Sequence, residues 1–121
     1  MMPAAEMRRR QPEKEEQRQI VDALRKLGAS VYVLGTRRRS GDHPGTMQTP
    51  GLPDLIAFLP LRSASRRRRL RLLFIEVKAP GGRLRYEQQI FASSCQAAGC
   101  EYLSGGVREL ADYLTQHGWI R

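Results

Sequence analysis

Two apolar runs of strand length lie close together in the chain and constrain its fold more than any other feature. Residues 54–59 and 70–77 are dominated by leucine, isoleucine, valine and phenylalanine. The connection between them, residues 60–69, contains two serines and four consecutive arginines. Apolar runs bounded by such polar segments predict strands. We therefore expect an antiparallel hairpin centred on residue 65, in which paired residue numbers sum to 130.

This register places two acidic side chains side by side. Asp54 falls opposite Glu76, and Lys78 lies two residues after Glu76 on the same face of the strand, because side chains alternate between faces. Each face of the predicted hairpin is otherwise apolar, so helices must cover the sheet on both sides. The pattern indicates an α/β domain with carboxylates and a lysine at one end of a hairpin.

The rest of the chain predicts three helices and two more strands. The first helix begins at Pro12, with acidic residues in its first turn, and ends at Gly28. The residues before it carry no apolar period and predict a disordered basic arm, leaving residues 12–121 as a single domain. The expected order is α-β-β-β-α-β-α, with a strand at 29–34, a long loop at 35–52, a helix at 85–98, a strand at 101–103 and a helix at 107–117.

The charge of the chain favours a polyanionic partner. Lys and Arg number 21 against 12 acidic residues, which gives a net charge of +9. Such an excess favours phosphate contacts and counterion release, so nucleic acid is the leading partner and an anionic membrane surface a distant second. Phosphate contacts are assigned to two basic clusters, Arg37, Arg38, Arg39 and Arg66, Arg67, Arg68, Arg69.

Other signals are few. No run approaches the ~20 apolar residues of a transmembrane helix, and residues 1–11 lack the apolar centre of a signal peptide, so we expect a soluble intracellular protein with no membrane partner. Cys95 and Cys100 lack zinc-site spacing and are expected to be reduced thiols.

The acidic pair and the lysine suit phosphodiester hydrolysis. That reaction needs a divalent ion to polarise a phosphoryl oxygen, and Mg²⁺ prefers oxygen ligands such as Asp54 and Glu76 supply. Lys78 can orient a water or stabilise developing negative charge. The alternative is that Asp54 is a turn residue and that Glu76 and Lys78 form a solvated pair. Burying such groups in an apolar strand is costly, which favours the hydrolytic site.

The residues also resemble a known family. The segments Gly51-Leu52-Pro53-Asp54, Ile75-Glu76-Val77-Lys78 and Gly81-Gly82-Arg83-Leu84-Arg85-Tyr86-Glu87-Gln88 resemble the VRR-NUC domain of the PD-(D/E)xK nuclease superfamily. The resemblance extends from Glu13 to about Trp119 and implies a restriction-endonuclease-like fold, with a mixed central sheet flanked by helices. One departure is Arg39-Ser40-Gly41, where the family often carries an Asn-Ser-Gly-like segment.

The resemblance implies roles for individual residues. Asp54, Glu76 and the Val77 carbonyl would bind Mg²⁺ or Mn²⁺, Lys78 would be the catalytic lysine, and Gln88 would belong to the active-site helix. Family members also place a first-helix glutamate near the metal, here Glu13 or Glu16. Glu13 is preferred because it lies in line with Gln17 and the apolar stripe of the helix.

The expected function is a metal-dependent DNA endonuclease. By resemblance it would act as a homodimer on structured or branched DNA, similar to Holliday-junction resolvases, with a bacterial or phage origin. Two alternatives stay open: a non-catalytic DNA-binding module of the same fold, and a restriction-like endonuclease with a sequence preference.

Overall fold

The computed structural model describes residues 4–34, 49–60 and 70–120. The helices and strands follow one another in the predicted order, α-β-β-β-α-β-α. The elements are α1 (Ala4–Lys26), β1 (Ser30–Val33), β2 (Leu55–Pro60), β3 (Leu70–Val77), α2 (Tyr86–Ala97), β4 (Glu101–Gly105) and α3 (Val107–Gln116).

The described strands form one mixed sheet in the order β1-β2-β3-β4. The β1–β2 and β2–β3 pairs are antiparallel, whereas β3 and β4 are parallel and are connected through α2. Leu55 pairs with Ile75, and Pro60 pairs with Leu70. These pairs confirm the predicted register, in which residue numbers sum to 130 and the end of β3 lies beside Asp54.

The core lies between one face of the sheet and the helices α1 and α3. The alternate residues of β2 and β3 that face these helices are completely buried, namely Leu55, Ala57, Leu59, Leu73, Ile75 and Val77. Burying one such aliphatic side chain stabilises the fold by about 1.5–3 kcal/mol. On the other face, Phe91 of α2 packs against Phe74 and Tyr102. The prediction that helices cover both faces is confirmed.

The N-terminal boundary of α1 differs from the prediction. The helix begins at Ala4, so the predicted start at Pro12 was wrong, whereas the division of the chain into residues 1–11 and 12–121 stays a prediction. The reason is local: residues 4–11 are alanine, glutamate, methionine, arginine and glutamine, which have favourable helix propensities even without an apolar stripe. Proline at the first turn is a preference, and here Pro12 falls within the helix.

None of the helices in the described part of the chain is long and apolar enough to cross a membrane.

Candidate functional site

Asp54 is fixed at the junction between a loop and β2. It follows the fully buried Pro53 and directly precedes Leu55, the first residue of β2. Its carboxylate Oδ2 accepts a hydrogen bond from the backbone N–H of Val77 at 2.8 Å, and its carbonyl accepts one from Leu34 at 2.8 Å. Asp54 is therefore held against the end of β3 and against the residue that follows β1.

Glu76 is a buried carboxylate with its two oxygens in different surroundings. Its exposed fraction is 4%, although it lies on a strand beside a second acidic residue. Oε1 accepts a hydrogen bond from Gln88 Nε2 at 2.6 Å and lies 3.6 Å from the ammonium nitrogen of Lys78. Oε2 is buried and has no hydrogen-bond partner among the described residues. Since buried carboxylate oxygens nearly always have a partner, Oε2 has an unsatisfied requirement for a positive or hydrogen-bonding group.

Gln88 fixes the orientation of Glu76 from the helix α2. Its amide oxygen accepts the backbone N–H of Arg85 at 2.8 Å, at the beginning of the helix. The amide nitrogen is then directed at Glu76. Gln88 is 3% exposed, so it both completes the N-terminus of α2 and holds the carboxylate in place.

The charges of the site disfavour ionisation of Glu76. The pKa of Glu76 is raised from 4.5 to about 7, chiefly by burial and next by the neighbouring negative charge of Asp54, while Lys78 opposes both effects. One ammonium does not compensate two close carboxylates. A cation bound between them would relieve the repulsion.

The donor set fits a small divalent cation. Mg²⁺ commonly binds proteins through one or two carboxylates and retains several water ligands. Asp54 and Glu76 provide two carboxylates, and the unpaired Glu76 Oε2 provides an oxygen atom available for a ligand bond. Within the described ranges, no group of three or more His, Cys, Asp or Glu side chains is arranged to hold a metal ion. The remaining ligands would be backbone carbonyls and water.

The first-helix glutamates take different positions. Glu16 accepts the backbone N–H of Val107 at 2.5 Å, which satisfies a free donor at the beginning of α3. This contact is close to Gly105, whose carbonyl accepts the N–H of Lys78 at 2.9 Å. Glu16 therefore stabilises the docking of α1 on α3 at the same end of the sheet as the carboxylate pair. Glu13 is partly buried on α1, and its metal-binding role stays a prediction.

The loop before Asp54 requires glycine at position 51. Gly51 has a positive φ of 94°, and a Cβ there would lie 2.3 Å from the carbonyl oxygen of Glu87. Gly51 thus packs directly on the first turn of α2, the turn that also carries Gln88. This close approach links the position of Asp54 to that of the glutamine.

The structure brings together Asp54, Glu76, Val77, Lys78 and Gln88. The predicted phosphate-binding residues Arg37, Arg38, Arg39, Arg66, Arg67, Arg68 and Arg69 lie outside the described residues. Sequence reasoning missed Tyr102, whose ring packs against Phe91 and whose hydroxyl is buried. Only the parallel register of β4, which the sequence pattern does not reveal, places it on the Glu76 face of the sheet.

Comparison with known proteins identifies the family. The model of the VRR-NUC domain matches residues 46–108, just over half of the chain. A solved structure described as a VRR-NUC domain is similar to this fold, with a TM-score of 0.62 and 23% sequence identity, over 88% of this chain and 96% of that one. The search of curated proteins found no match.

The fold and the domain match together define a nuclease-type, DNA-processing domain with the α/β architecture of the PD-(D/E)xK group. The chain belongs to the VRR-NUC family.

Proposed function

We propose that this protein is a Mg²⁺- or Mn²⁺-dependent DNA endonuclease that hydrolyses phosphodiester bonds. The observation that carries the proposal is the convergence of Asp54, Glu76 and Lys78 where β2 begins and β3 ends. Glu76 also has a pKa raised to about 7, and its buried Oε2 has no hydrogen-bond partner in the part of the chain that the structure describes. A protein that only bound DNA would gain nothing from two carboxylates next to phosphates.

In this proposal each residue has a distinct role. Asp54 and Glu76 would hold the ion together with the Val77 carbonyl, and the bound ion would polarise the phosphoryl oxygen and lower the pKa of a coordinated water. Gln88 keeps the Glu76 carboxylate in one orientation through its 2.6 Å hydrogen bond. Lys78, close to Oε1, orients the attacking water or stabilises the negative charge that develops on the phosphate.

DNA binding is supported by the net charge of +9. We assign phosphate contacts to residues 37–39 and 66–69, which would position the duplex without reading its sequence. In the chain, the second cluster lies between Pro60 and Leu70, which pair at the hairpin end opposite Asp54. Six strand residues separate these ends by roughly 20 Å. Residues 66–69 would therefore contact the DNA away from the bond that is cut.

The finer assignment is a homodimer acting on structured or branched DNA. A two-fold dimer presents two identical sites, which suits a symmetric junction that is cut twice. Sedimentation of the full chain would test the dimer, and cleavage of a four-way junction compared with the linear duplex of the same sequence would test the substrate. A monomer without preference for the junction would contradict this assignment.

The nuclease proposal is tested by DNA cleavage with and without Mg²⁺. We expect cutting by the wild type only with the metal, and loss of cutting in Lys78→Ala. The matched control is Lys26→Ala, which removes the same charge from an exposed position at the end of α1. Binding without metal-dependent cleavage by the wild type would instead identify a non-catalytic DNA-binding module, and discrete cut sites on a long duplex would identify a restriction-like enzyme.

A further inference from the structure

Two buried side-chain oxygens have no hydrogen-bond partner in the described part of the chain. They are Glu76 Oε2 and the hydroxyl oxygen of Tyr102. An unsatisfied buried polar group costs about 1–3 kcal/mol, so two such groups require an explanation. Glu76 Oε2 is a hydrogen-bond acceptor when the carboxyl is ionised, and the Tyr102 hydroxyl is a donor.

Both groups project from the same face of the sheet. In the parallel β3–β4 pair, Phe74 lies beside Tyr102 and Glu76 lies beside Ser104. Because side chains alternate along a strand, Tyr102 and Ser104 share the face of Glu76. Diagonal neighbours on adjacent strands are within reach of aromatic and long side chains.

Helix α2 covers both groups. Phe91 packs on Tyr102 with ring centroids 6.0 Å apart, and Gln88, one helical turn earlier, donates to Glu76. Residues three apart on a helix lie on the same side. The tyrosine ring and the carboxylate are therefore enclosed under consecutive turns of one helix.

The electrostatic surroundings agree with this placement. Burial raises the pKa of Tyr102 well above its ordinary range, and the negative charges of Glu76 and then Asp54 raise it further. The hydroxyl therefore remains a neutral hydrogen-bond donor at any pH at which the site works. It also lies within the field of both carboxylates.

We propose that Tyr102 is a positioning residue of the nuclease site, whose hydroxyl donates a hydrogen bond to a buried water molecule that in turn donates to one lone pair of Glu76 Oε2 and leaves the other lone pair for the ion. Buried waters typically make about three hydrogen bonds to groups that would otherwise be unsatisfied. Ser104, beside Glu76, places a further hydroxyl on this face. The inference rests on the proposed function: Tyr102 would hold the carboxylate that binds the ion, without touching the DNA.

The first test is the variant Tyr102→Phe, which keeps the ring contact with Phe91 and removes only the hydroxyl. Loss of an outer hydrogen bond to a metal ligand typically costs about 10- to 100-fold in metal affinity or activity. We expect kcat to fall and the affinity for Mg²⁺ to weaken by that amount, with KM for DNA unchanged. The matched control is Tyr113→Phe, which removes a hydroxyl that contacts Glu101 instead, and should leave kcat unchanged. Equal kcat in the two variants would overturn the proposal.

The second test needs neither DNA nor metal. The four tyrosines are labelled with 3-fluorotyrosine, and the ¹⁹F signal of residue 102 is identified by its loss in Tyr102→Phe. In the metal-free protein, Glu76→Gln should shift this signal, whereas Asp112→Asn, on the exposed side of α3, should not. An unchanged signal in Glu76→Gln would overturn the contact. Absence of cleavage by the wild type would overturn the proposed function, while a ¹⁹F shift would still support the link between Tyr102 and Glu76.

Discussion

Replacing Glu76 by glutamine should stabilise the metal-free protein at high pH while abolishing cleavage. Glutamine keeps the shape of the side chain and can accept the hydrogen bond from Gln88, but it removes the buried negative charge. In the wild type this charge is buried and faces the negative charge of Asp54. Residues that bind ions often destabilise the free protein for this reason.

The size of the effect follows from proton linkage. The pKa of Glu76 rises from its ordinary value of 4.5 to about 7 on folding, chiefly through burial. At about 1.4 kcal/mol for each pH unit, this difference corresponds to at most roughly 3–4 kcal/mol. Below pH 4.5 the carboxyl is protonated in both states and costs nothing. The wild type then loses stability relative to Glu76→Gln as the pH rises to 7.

The assay is urea unfolding of the metal-free protein between pH 4.5 and 8.5. Trp119 is the only tryptophan and is 6% exposed, so its fluorescence reports the transition. The control, Asp22→Asn, removes a charge from the exposed side of α1 and should track the wild type. A stability difference between wild type and Glu76→Gln that stays constant across this pH range would refute the reasoning.

Four further variants test the residues around the carboxylates. Gly51→Ala should destabilise the fold by about 2–4 kcal/mol in thermal unfolding. The reason is that alanine is strained at this positive φ and that its Cβ would lie 2.3 Å from a carbonyl oxygen. A wild-type Tm would contradict the close packing of residue 51 on α2. Gln88→Leu should weaken Mg²⁺ binding by at least about 10-fold in calorimetry, because Glu76 loses the hydrogen bond that orients its carboxylate. An unchanged affinity would show that this hydrogen bond is dispensable. Mg²⁺ titration of Glu13→Gln and Glu16→Gln separates the two helix glutamates: we expect loss of affinity in Glu13→Gln, and the reverse result would assign the ligand to Glu16.

The sequence predicted the hairpin well because its constraints are local. Side-chain alternation and the length of the basic connection determine the register, and the observed pairing of Leu55 with Ile75 follows from them. Once that register is known, the meeting of Asp54 with the end of β3 follows as well. Gln88 on α2 was singled out through the family resemblance, and its role in the site stays a prediction; its amide nitrogen lies 2.6 Å from Glu76 Oε1.

Features that depend on how separate helices and strands pack together were harder to predict from the sequence. The contact of Glu16 with Val107 joins residues 91 positions apart, and no local pattern encodes it. The position of Tyr102 depends on the register of a parallel pair, which is not fixed by a turn. The predicted start of α1 was wrong because it relied on an apolar stripe, whereas residues 4–11 form a helix through intrinsic propensity.

The most direct test of the central claim is the location of a bound ion. Crystals grown with Mn²⁺ would be measured at the manganese absorption edge, and the anomalous signal would be compared between wild type and Glu76→Gln. We predict a peak between the carboxylates of Asp54 and Glu76 in the wild type, and a weaker or absent peak in the variant. No peak at this position in a Mn²⁺-saturated crystal, or an equal peak in the variant, would contradict the metal-dependent mechanism.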